Sequence, residues 1–264
     1  MDSIFLSTFA KNLFFMKLKP LKHYYGDDLK NCLRDGDNKF IKDYTTYGFK
    51  KSYQMWNDYS HESIEAFFND FMKEYSEEFL KENCERCLEK MKMDGSTISY
   101  DDLFDILLRR LVIDAFIGFK AEDIVREKLV RSGCEIHNYK VISKKQESVL
   151  DTKYGIDIMT FKNGNVFTLI QVKNTSTFSF NGFYIKEKRK EFFDKEYKAN
   201  QFIDDGKNRS LCFYVYDKNA YINEKKFKFY VNPRTDKCYF SLSELINVDG
   251  TLKTNVRYLK SREL

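Results

Sequence analysis

Residues 154–176 read YGIDIMTFKNGNVFTLIQVKNTS, and this stretch decides the fold of the second half of the chain. Two apolar segments flank Asn163-Gly164, a pair typical of the tight turn of a β-hairpin. The first segment carries a single acid, Asp157, and the second ends in Gln171-Val172-Lys173. Burying unpaired polar groups costs about a few kcal/mol each, so polar ends on two apolar strands need a reason. A metal ion or a substrate phosphate would supply that reason.

The register of this hairpin decides whether its polar groups can act together. Alternation along a strand places Gln171 and Lys173 on one face. A two-residue turn alone would set Asp157 opposite Ile170, and therefore on the other face. We expect either a three-residue loop over 163–165 or a one-residue bulge in one strand. Either change sets Asp157 opposite Gln171.

Composition limits the class of protein. The chain has 264 residues, of which 42% are apolar and 17% aromatic, enough for a packed core and too apolar for disorder. The net charge is +5, from 45 basic and 40 acidic residues, which permits nucleic-acid binding without requiring it. No run of about 18 apolar residues predicts a membrane span. We read Met1–Phe15 as a core-packing segment, not a signal peptide, and the six scattered cysteines as reduced thiols of a cytoplasmic protein.

The first half of the chain carries the apolar periodicity of helices. Ser60 can cap a helix that ends at Asp94-Gly95, and Ser99 can cap a second helix that Gly118 interrupts. Residues 1–55 are dense in Phe, Tyr and Lys, and their periodicity is too weak for an assignment. The helices predicted in this half run over residues 60–92, 99–117 and 119–131.

The second half alternates strand-like and helical segments. Strands are predicted at residues 134–143, 155–161, 166–173, 211–216 and 227–231, with helices at 185–204 and 241–246. This order predicts an α/β fold, with a mixed central sheet flanked by helices. We expect residues 1–115 to form an N-terminal helical lobe and residues 116–264 to form the α/β core.

The polar groups of the hairpin suit metal-assisted phosphodiester hydrolysis. A divalent metal holds a phosphate oxygen, lowers the pKa of a bound water and offsets the charge of the transition state. Hard ions such as Mg²⁺ prefer oxygen ligands. Asp157 can supply a carboxylate, Gln171 a neutral oxygen and Val172 a backbone carbonyl. Lys173 can hold the attacking water and stabilise the negative charge that develops.

These residues resemble the active-site motif of the PD-(D/E)XK nuclease superfamily. That family carries an Asp on one strand and (Glu or Gln)-x-Lys on the next, and this chain has Asp157, thirteen further residues and then Gln171-Val172-Lys173. The family also has a Glu on the preceding helix, and Glu122 is the match. The chain departs from the pattern in two places, because Ile156 stands where Pro is usual and Gln replaces the second acid. The resemblance covers residues 116–231.

The resemblance implies a restriction-endonuclease-like core that cleaves double-stranded DNA, and a type II restriction enzyme in particular. It implies Mg²⁺ as cofactor, with Mn²⁺ as a substitute, and Asp157, Gln171, Glu122 and the Val172 carbonyl as ligands. It also implies a homodimer in which each subunit cuts one strand. The helical lobe would then serve dimerisation or DNA recognition.

Several other readings stay open. Asp157 and Lys173 could form a structural ion pair, and Glu127 could face the site instead of Glu122. Asp151, before the same strand, could be an auxiliary ligand or an ordinary loop acid. A structure-specific or repair nuclease of the resolvase kind is an alternative activity. A nucleic-acid-binding module that has lost its chemistry is an alternative of another class.

A last group of residues could contact DNA. Short donors directly after the lysine could bind phosphate oxygens, and the helix at 185–204 has a basic side, although a polar turn and a solvated face are equally ordinary explanations. Cys84 and Cys87 form one CxxC without a second pair, so zinc is not expected. The candidate DNA contacts are Asn174, Thr175, Ser176, Lys188 and Arg189.

Overall fold

The computed structural model of the chain describes residues 19–25, 32–34, 36–59, 61–74, 77–136, 144–175, 183–249, 251 and 253–260. The chain divides into two compact units, Met1–Phe119 and Lys120–Leu264. Among the residues described, none of the helices combines the length and the apolar character that a crossing of a lipid bilayer needs.

The first unit is helical within its described residues. Its core gathers buried side chains such as Ile41, Cys84, Met91 and Leu103. Burial raises the pKa of Cys84 to about 12 and that of Cys87 to about 11, so both thiols stay protonated and pack as small apolar groups. The helices are a 3₁₀ helix (Leu21–Tyr25), α1 (Asp37–Asp58), α2 (Ile64–Glu74), α3 (Glu77–Met93), α4 (Tyr100–Leu108), a π-helical stretch (Arg109–Asp114) and α5 (Ala115–Arg131), which continues into the second unit.

The first predicted helix begins later than expected, and the described residues hold two helices, α2 and α3, in its place. Helix α2 begins at Ile64 and residues 61–63 are not helical, so the predicted helix starts too early, and Ser60 itself lies outside the described residues. Ser63 Oγ accepts a hydrogen bond from the Ala66 N–H at 3.1 Å, so one N–H of the first helical turn has a partner. The predicted end is confirmed, because Gly95 follows α3 with φ of +81°.

Gly118 does not interrupt the helix, and the irregularity lies earlier, in the π-helical stretch Arg109–Asp114. Helix α1 packs closely there, since a Cβ built on Gly48 would lie 2.7 Å from Leu111 Cδ2. Ser52 Oγ donates to the Leu111 carbonyl at 2.8 Å. A side chain therefore binds a backbone carbonyl of the π-helical stretch, a typical way of stabilising such an irregularity.

The second unit is α/β, with a mixed sheet flanked by helices, as predicted. The strands run in the order β1-β2-β3-β4-β5-β7, with β6 paired to β4. Only the β3–β4 pair is parallel in the described part of the sheet, and helix α7 makes the crossover that a parallel pair requires. The elements are β1 (Glu135–Ile136), α6 (Lys144–Tyr154), β2 (Ile158–Lys162), β3 (Asn165–Asn174), α7 (Phe183–Ile203), β4 (Leu211–Tyr216), α8 (Lys218–Glu224), β5 (Lys228–Val231), β6 (Phe240–Ser241), α9 (Leu242–Leu245) and β7 (Arg257–Lys260).

The strand predicted over 134–143 is seen as β1, and residues 137–143 lie outside the described residues. Helix α6, directly before the hairpin, was not predicted. The helix predicted at 185–204 matches α7, and the buried strand predicted at 211–216 matches β4, every residue of which is buried. Ser241 and Glu244 form a capping box on α9, within the short helix predicted near the end of the chain.

The β2–β3 hairpin contains the register shift that the site requires. Its turn has two residues, Asn163 and Gly164, both with positive φ (53° and 75°), as in a type I′ turn. Lys162 pairs with Asn165 beside the turn, but Ile158 pairs with Ile170 beyond an irregularity, so β3 carries one extra residue. That residue is Phe167, which the register leaves without a partner. The expected bulge is confirmed, and the alternative three-residue loop is not used.

One face of the sheet forms the core of the second unit. Leu169 packs in one cluster with Phe213 of β4, Phe192 of α7 and Leu150 of α6. Alternation along β3 places Gln171 and Lys173 on this same face, further toward the end of the strand. The polar end of β3 is therefore continuous with an apolar core, which limits the access of water to one side of the candidate site.

Candidate active site

Asp157 lies directly before β2 and is fixed to β3 by two hydrogen bonds. Its backbone N–H donates to the Ile170 carbonyl at 3.0 Å. The Val172 N–H donates to Asp157 Oδ2 at 2.7 Å. The carboxylate thus accepts a hydrogen bond from a strand N–H, as a backbone carbonyl does elsewhere in the sheet. The two bonds join Asp157 to the residues on either side of Gln171.

Lys173 Nζ lies 3.8 Å from Asp157 Oδ2. The lysine side chain is 27% exposed and the aspartate side chain 12% exposed, so the pair opens to solvent from one side. A catalytic pair needs this access for its substrate, and a purely structural pair does not need it. The distance itself is compatible with both readings.

The charges of this pair both act on the pKa of Glu122 on α5. Burial raises the pKa of Glu122 well above its usual range, and the negative charge of Asp157 raises it further. The positive charges of Arg126 and Lys173 oppose this effect. Glu127, the alternative, is 64% exposed and forms an ion pair with Arg131 at 3.1 Å. The inward-facing glutamate of α5 is therefore Glu122.

Arg126 was not singled out from the sequence. It lies one helical turn after Glu122 on α5, and its Nη2 donates to the Asp157 backbone carbonyl at 2.8 Å. The guanidinium therefore connects the helix that carries one carboxylate to the residue that carries the other. The sequence does show a basic residue four positions after the candidate Glu122, which could have indicated that Arg126 lies near the site. It does not show which carbonyl Arg126 binds.

Gln171 is fully buried, and its contacts differ from those predicted. Its Nε2 donates to the carbonyl of Gly155, with a longer contact of 3.4 Å to the carbonyl of Tyr154. Its Oε1 is buried and accepts no hydrogen bond within the described part of the chain. The amide nitrogen is thus engaged with the backbone before Asp157, and the amide oxygen is the atom that a cation could use.

Gly155 makes this contact possible. Its φ is +63°, and a Cβ built on it would lie 2.5 Å from Gln171 Nε2. Helix α6 ends at Tyr154, so a glycine in the left-handed region both ends the helix and lets the backbone approach the amide. The sequence offered a signal in the Tyr154-Gly155 pair before a strand, but it did not show the contact.

The Val172 carbonyl is directed toward the edge of β3 that Asp157 occupies, because the N–H and C=O of one strand residue project to the same side. Thr175 continues the ladder, with its N–H donating to the Tyr216 carbonyl at 2.8 Å. Asn174 and Thr175 are both half-buried, and Ser176 lies outside the described residues. Of these three candidate DNA contacts, Thr175 already uses its backbone N–H in a hydrogen bond of the sheet.

The candidates on α7 lie elsewhere. Arg189 Nη1 donates to the Val248 carbonyl at 2.6 Å, and its guanidinium lies 5.6 Å from the centre of the Phe193 ring. The side chain of Lys188 lies outside what the structure describes. Asp151 is exposed on α6, and its charge contributes to the raised pKa of Glu122. Arg189 therefore supports the fold of the second unit with at least part of its hydrogen-bonding capacity.

The residues around Asp157 offer the oxygen donors that a hard divalent cation prefers. The negative charge of Asp157 raises the pKa of Glu122, and Gln171 Oε1 is a buried oxygen without a hydrogen-bond donor in the described chain. Oxygen donors of this kind suit Mg²⁺ or Mn²⁺. The described residues contain no group of three or more His, Cys, Asp and Glu side chains placed to hold a metal. The protein would therefore bind a metal ion through two carboxylates, together with an amide oxygen and a backbone carbonyl oxygen.

Comparison of the chain with protein-family models, with curated proteins and with solved structures finds no match.

Proposed function

We propose that the chain is a metal-dependent DNA endonuclease that hydrolyses phosphodiester bonds, in the manner of a type II restriction enzyme. The observation that carries this proposal is the approach of Lys173 Nζ to Asp157 Oδ2 at 3.8 Å, in the register that the bulge in β3 creates. The restriction-endonuclease-like character of the core and action as a homodimer on double-stranded DNA belong to the same proposal.

Each polar group has a distinct task in this reaction. When bound, Mg²⁺ would neutralise phosphate charge and acidify a water molecule. Asp157, Glu122, Gln171 Oε1 and the Val172 carbonyl would hold the ion. Lys173 would orient the attacking water through its ammonium group and stabilise the negative charge on the phosphate oxygens in the transition state.

Asp157 is prepared for this task by its surroundings. The Val172 N–H occupies one side of Oδ2, so the carboxylate is held in one orientation before any ligand arrives. Arg126 holds the backbone of the same residue. Such preorganisation reduces the reorganisation that would otherwise accompany the reaction.

Incubation of supercoiled plasmid DNA with the purified chain in Mg²⁺ tests the proposal. Discrete fragments support sequence-specific cleavage, and a smear indicates non-specific cutting. Absence of cutting in both Mg²⁺ and Mn²⁺ contradicts the nuclease assignment and favours a binding module. An Asp157→Asn variant prepared in parallel excludes a contaminating nuclease, since its activity must disappear.

A further inference from the structure

A cleft lies at the opposite end of the β2–β3 hairpin from Asp157. It is formed by the turn of the hairpin and by the loop before β4, and its volume is about 470 Å³. The strand from Asp157 to the turn is five residues long, so the cleft lies roughly 17 Å from the candidate active site. We call it the hairpin cleft, and its polar and aromatic walls are Lys162, Asn163, Asn165, Phe167, Lys207 and Asn208.

Arg209 forms the floor of the hairpin cleft and is occupied by the protein itself. Its Nε donates to the Val166 carbonyl at 2.8 Å, and its Nη1 donates to Asp205 Oδ1 at 3.0 Å. The Arg209 side chain is buried, and Asp205 offsets its charge. The floor is thus rigid and close to neutral.

The walls of the hairpin cleft are positively charged. Lys162 and Lys207 are both exposed, and neither forms an ion pair within the described part of the chain. Among the described residues, no acidic side chain lines the cleft. The Lys207 backbone N–H donates to Asp205 Oδ1 at 3.2 Å, which fixes the loop, and the side chain of Lys207 is exposed. The cleft therefore attracts anions.

Phe167 gives the hairpin cleft an aromatic surface. It is the extra residue of the β3 bulge, and it is 59% exposed. Lys162 Nζ lies 5.5 Å from the centre of its ring. A single exposed aromatic residue is ordinary on a protein surface. An exposed ring in a cleft lined by two lysines combines the aromatic and basic side chains that proteins use to bind single-stranded nucleic acid.

We propose that the hairpin cleft binds an unpaired segment of nucleic acid, with one base stacked on Phe167. The phosphates on either side of that base contact Lys162 and Lys207. The amides of Asn163 and Asn208 offer hydrogen bonds to base edges or to phosphate oxygens. This site is separate from the candidate active site and does not depend on metal or on cleavage. A duplex does not expose a base face for stacking, so the cleft distinguishes single strands from duplexes.

Fluorescence anisotropy with a labelled oligothymidylate in EDTA measures this binding without cleavage. Phe167→Ala weakens the affinity by about tenfold or more, because the stacking surface is lost. Phe167→Trp retains the affinity, since indole also stacks. Tyr197→Ala is the matched control, because Tyr197 is 63% exposed on α7 of the same unit but lies outside the cleft. It leaves the affinity unchanged.

The salt dependence tests the lysines separately. Lys162→Gln and Lys207→Gln each reduce the slope of log K against log salt concentration by about 0.7, the value expected for one phosphate contact on a single strand. Lys226→Gln, in the loop before β5 and outside the cleft, leaves the slope unchanged. Because all these side chains are exposed, circular dichroism melts of the variants overlay that of the wild-type protein.

Three outcomes overturn the proposal. The first is an affinity of Phe167→Ala within twofold of wild type, and the second is a loss in Tyr197→Ala equal to that in Phe167→Ala. The third is a duplex of the same length, or polyglutamate, competing as well as the single strand, which would show a general anion surface. Because the assay contains no divalent metal, failure here leaves the plasmid cleavage test unaffected, and failure there leaves this result unaffected.

Discussion

Arg126 Nη2 donates a hydrogen bond to the backbone carbonyl of Asp157 across 2.8 Å. This bond fixes helix α5 against the residue that begins the hairpin, and with it the relative position of the carboxylates of Glu122 and Asp157. The charge of Arg126 also opposes the rise in the pKa of Glu122. One side chain therefore acts on both the geometry and the electrostatics of the site.

Replacement of Arg126 by Met should lower the cleavage rate by roughly tenfold to a hundredfold, the loss expected when reacting groups are displaced by about 1 Å. It should also raise the Mg²⁺ concentration needed for half-maximal activity. Arg131→Met is the control, since Arg131 pairs with exposed Glu127 on the same helix. If the two variants show the same Mg²⁺ dependence, Arg126 does not position the site.

Gly155→Ala should destabilise the second unit more than Gly164→Ala does. Both glycines have positive φ, for which an L-residue costs about 1–2 kcal/mol. Of these two glycines, only Gly155 has a neighbour that the added Cβ would meet, Gln171 Nε2 at 2.5 Å, whereas no described atom lies within 4 Å of a Cβ built on Gly164. Urea unfolding of the two variants measures the difference. Equal losses would show that the contact between Gln171 and Gly155 contributes nothing to stability.

Glu122→Gln should abolish cleavage and yet stabilise the protein at neutral pH in EDTA. The pKa of Glu122 is raised in the folded protein above its ordinary value of 4.5, so the folded state binds more protons than the unfolded state between these values. The free energy of unfolding of the wild type therefore falls as pH rises through that window. Glu122→Gln has no carboxyl group to titrate at residue 122, so its free energy of unfolding does not fall for this reason. Urea unfolding of both proteins at pH 5 and pH 8 measures the fall. If the two proteins differ by the same free energy at both pH values, the prediction is wrong.

The hairpin shows what could be predicted from the sequence. Asn163-Gly164 indicated the turn, and the need to bring Asp157 to the face of Lys173 indicated a bulge. Ser99 was predicted as a helix cap, and its Oγ does accept from the Asp102 N–H at 3.1 Å. These features depend on residues close together in the chain, and local chemistry is sufficient for them.

Other features depend on distant contacts and could not be predicted in the same way. Helix α6 is rich in charged residues and lacks a clear apolar stripe, so only the burial of Leu150 and Tyr154 in the sheet core reveals it. Gly118 was expected to interrupt a helix, but helix propensity alone does not decide this where neighbouring segments bury the helix. The hydrogen bond from Gln171 to Gly155 requires both α6 and the bulge, so no local pattern contained it.

Gln171→Glu should lower stability at neutral pH in EDTA. The amide nitrogen that donates to the Gly155 carbonyl becomes a carboxylate oxygen, which is repelled by that carbonyl unless it is protonated. Its pKa should therefore rise, and stability should fall as pH increases. If residue 171 contacts the metal, Mg²⁺ should restore the melting temperature of this variant more than that of the wild type. An equal effect of Mg²⁺ on both proteins would remove residue 171 from the ligand set.

The pair of Lys173 and Asp157 is the centre of the proposed function, and a structural ion pair is its main alternative. The two readings differ in what removal of the lysine does. Loss of a structural pair lowers stability, whereas loss of a catalytic ammonium lowers the rate by several orders of magnitude, with about 1.4 kcal/mol for each factor of ten. Lys228, which pairs with Glu224 at 2.6 Å on the surface of the same unit, offers a matched control.

The most direct measurement is the rate of plasmid cleavage in Mg²⁺ by the wild type, Lys173→Met and Lys228→Met, with urea unfolding of all three. We predict that Lys173→Met cuts at least about a thousandfold more slowly than the wild type, a loss of roughly 4 kcal/mol of transition-state stabilisation. It should remain folded and should still bind DNA in Ca²⁺, while Lys228→Met cuts at the wild-type rate. A folded Lys173→Met protein that cuts as fast as the wild type would contradict the assignment of the site.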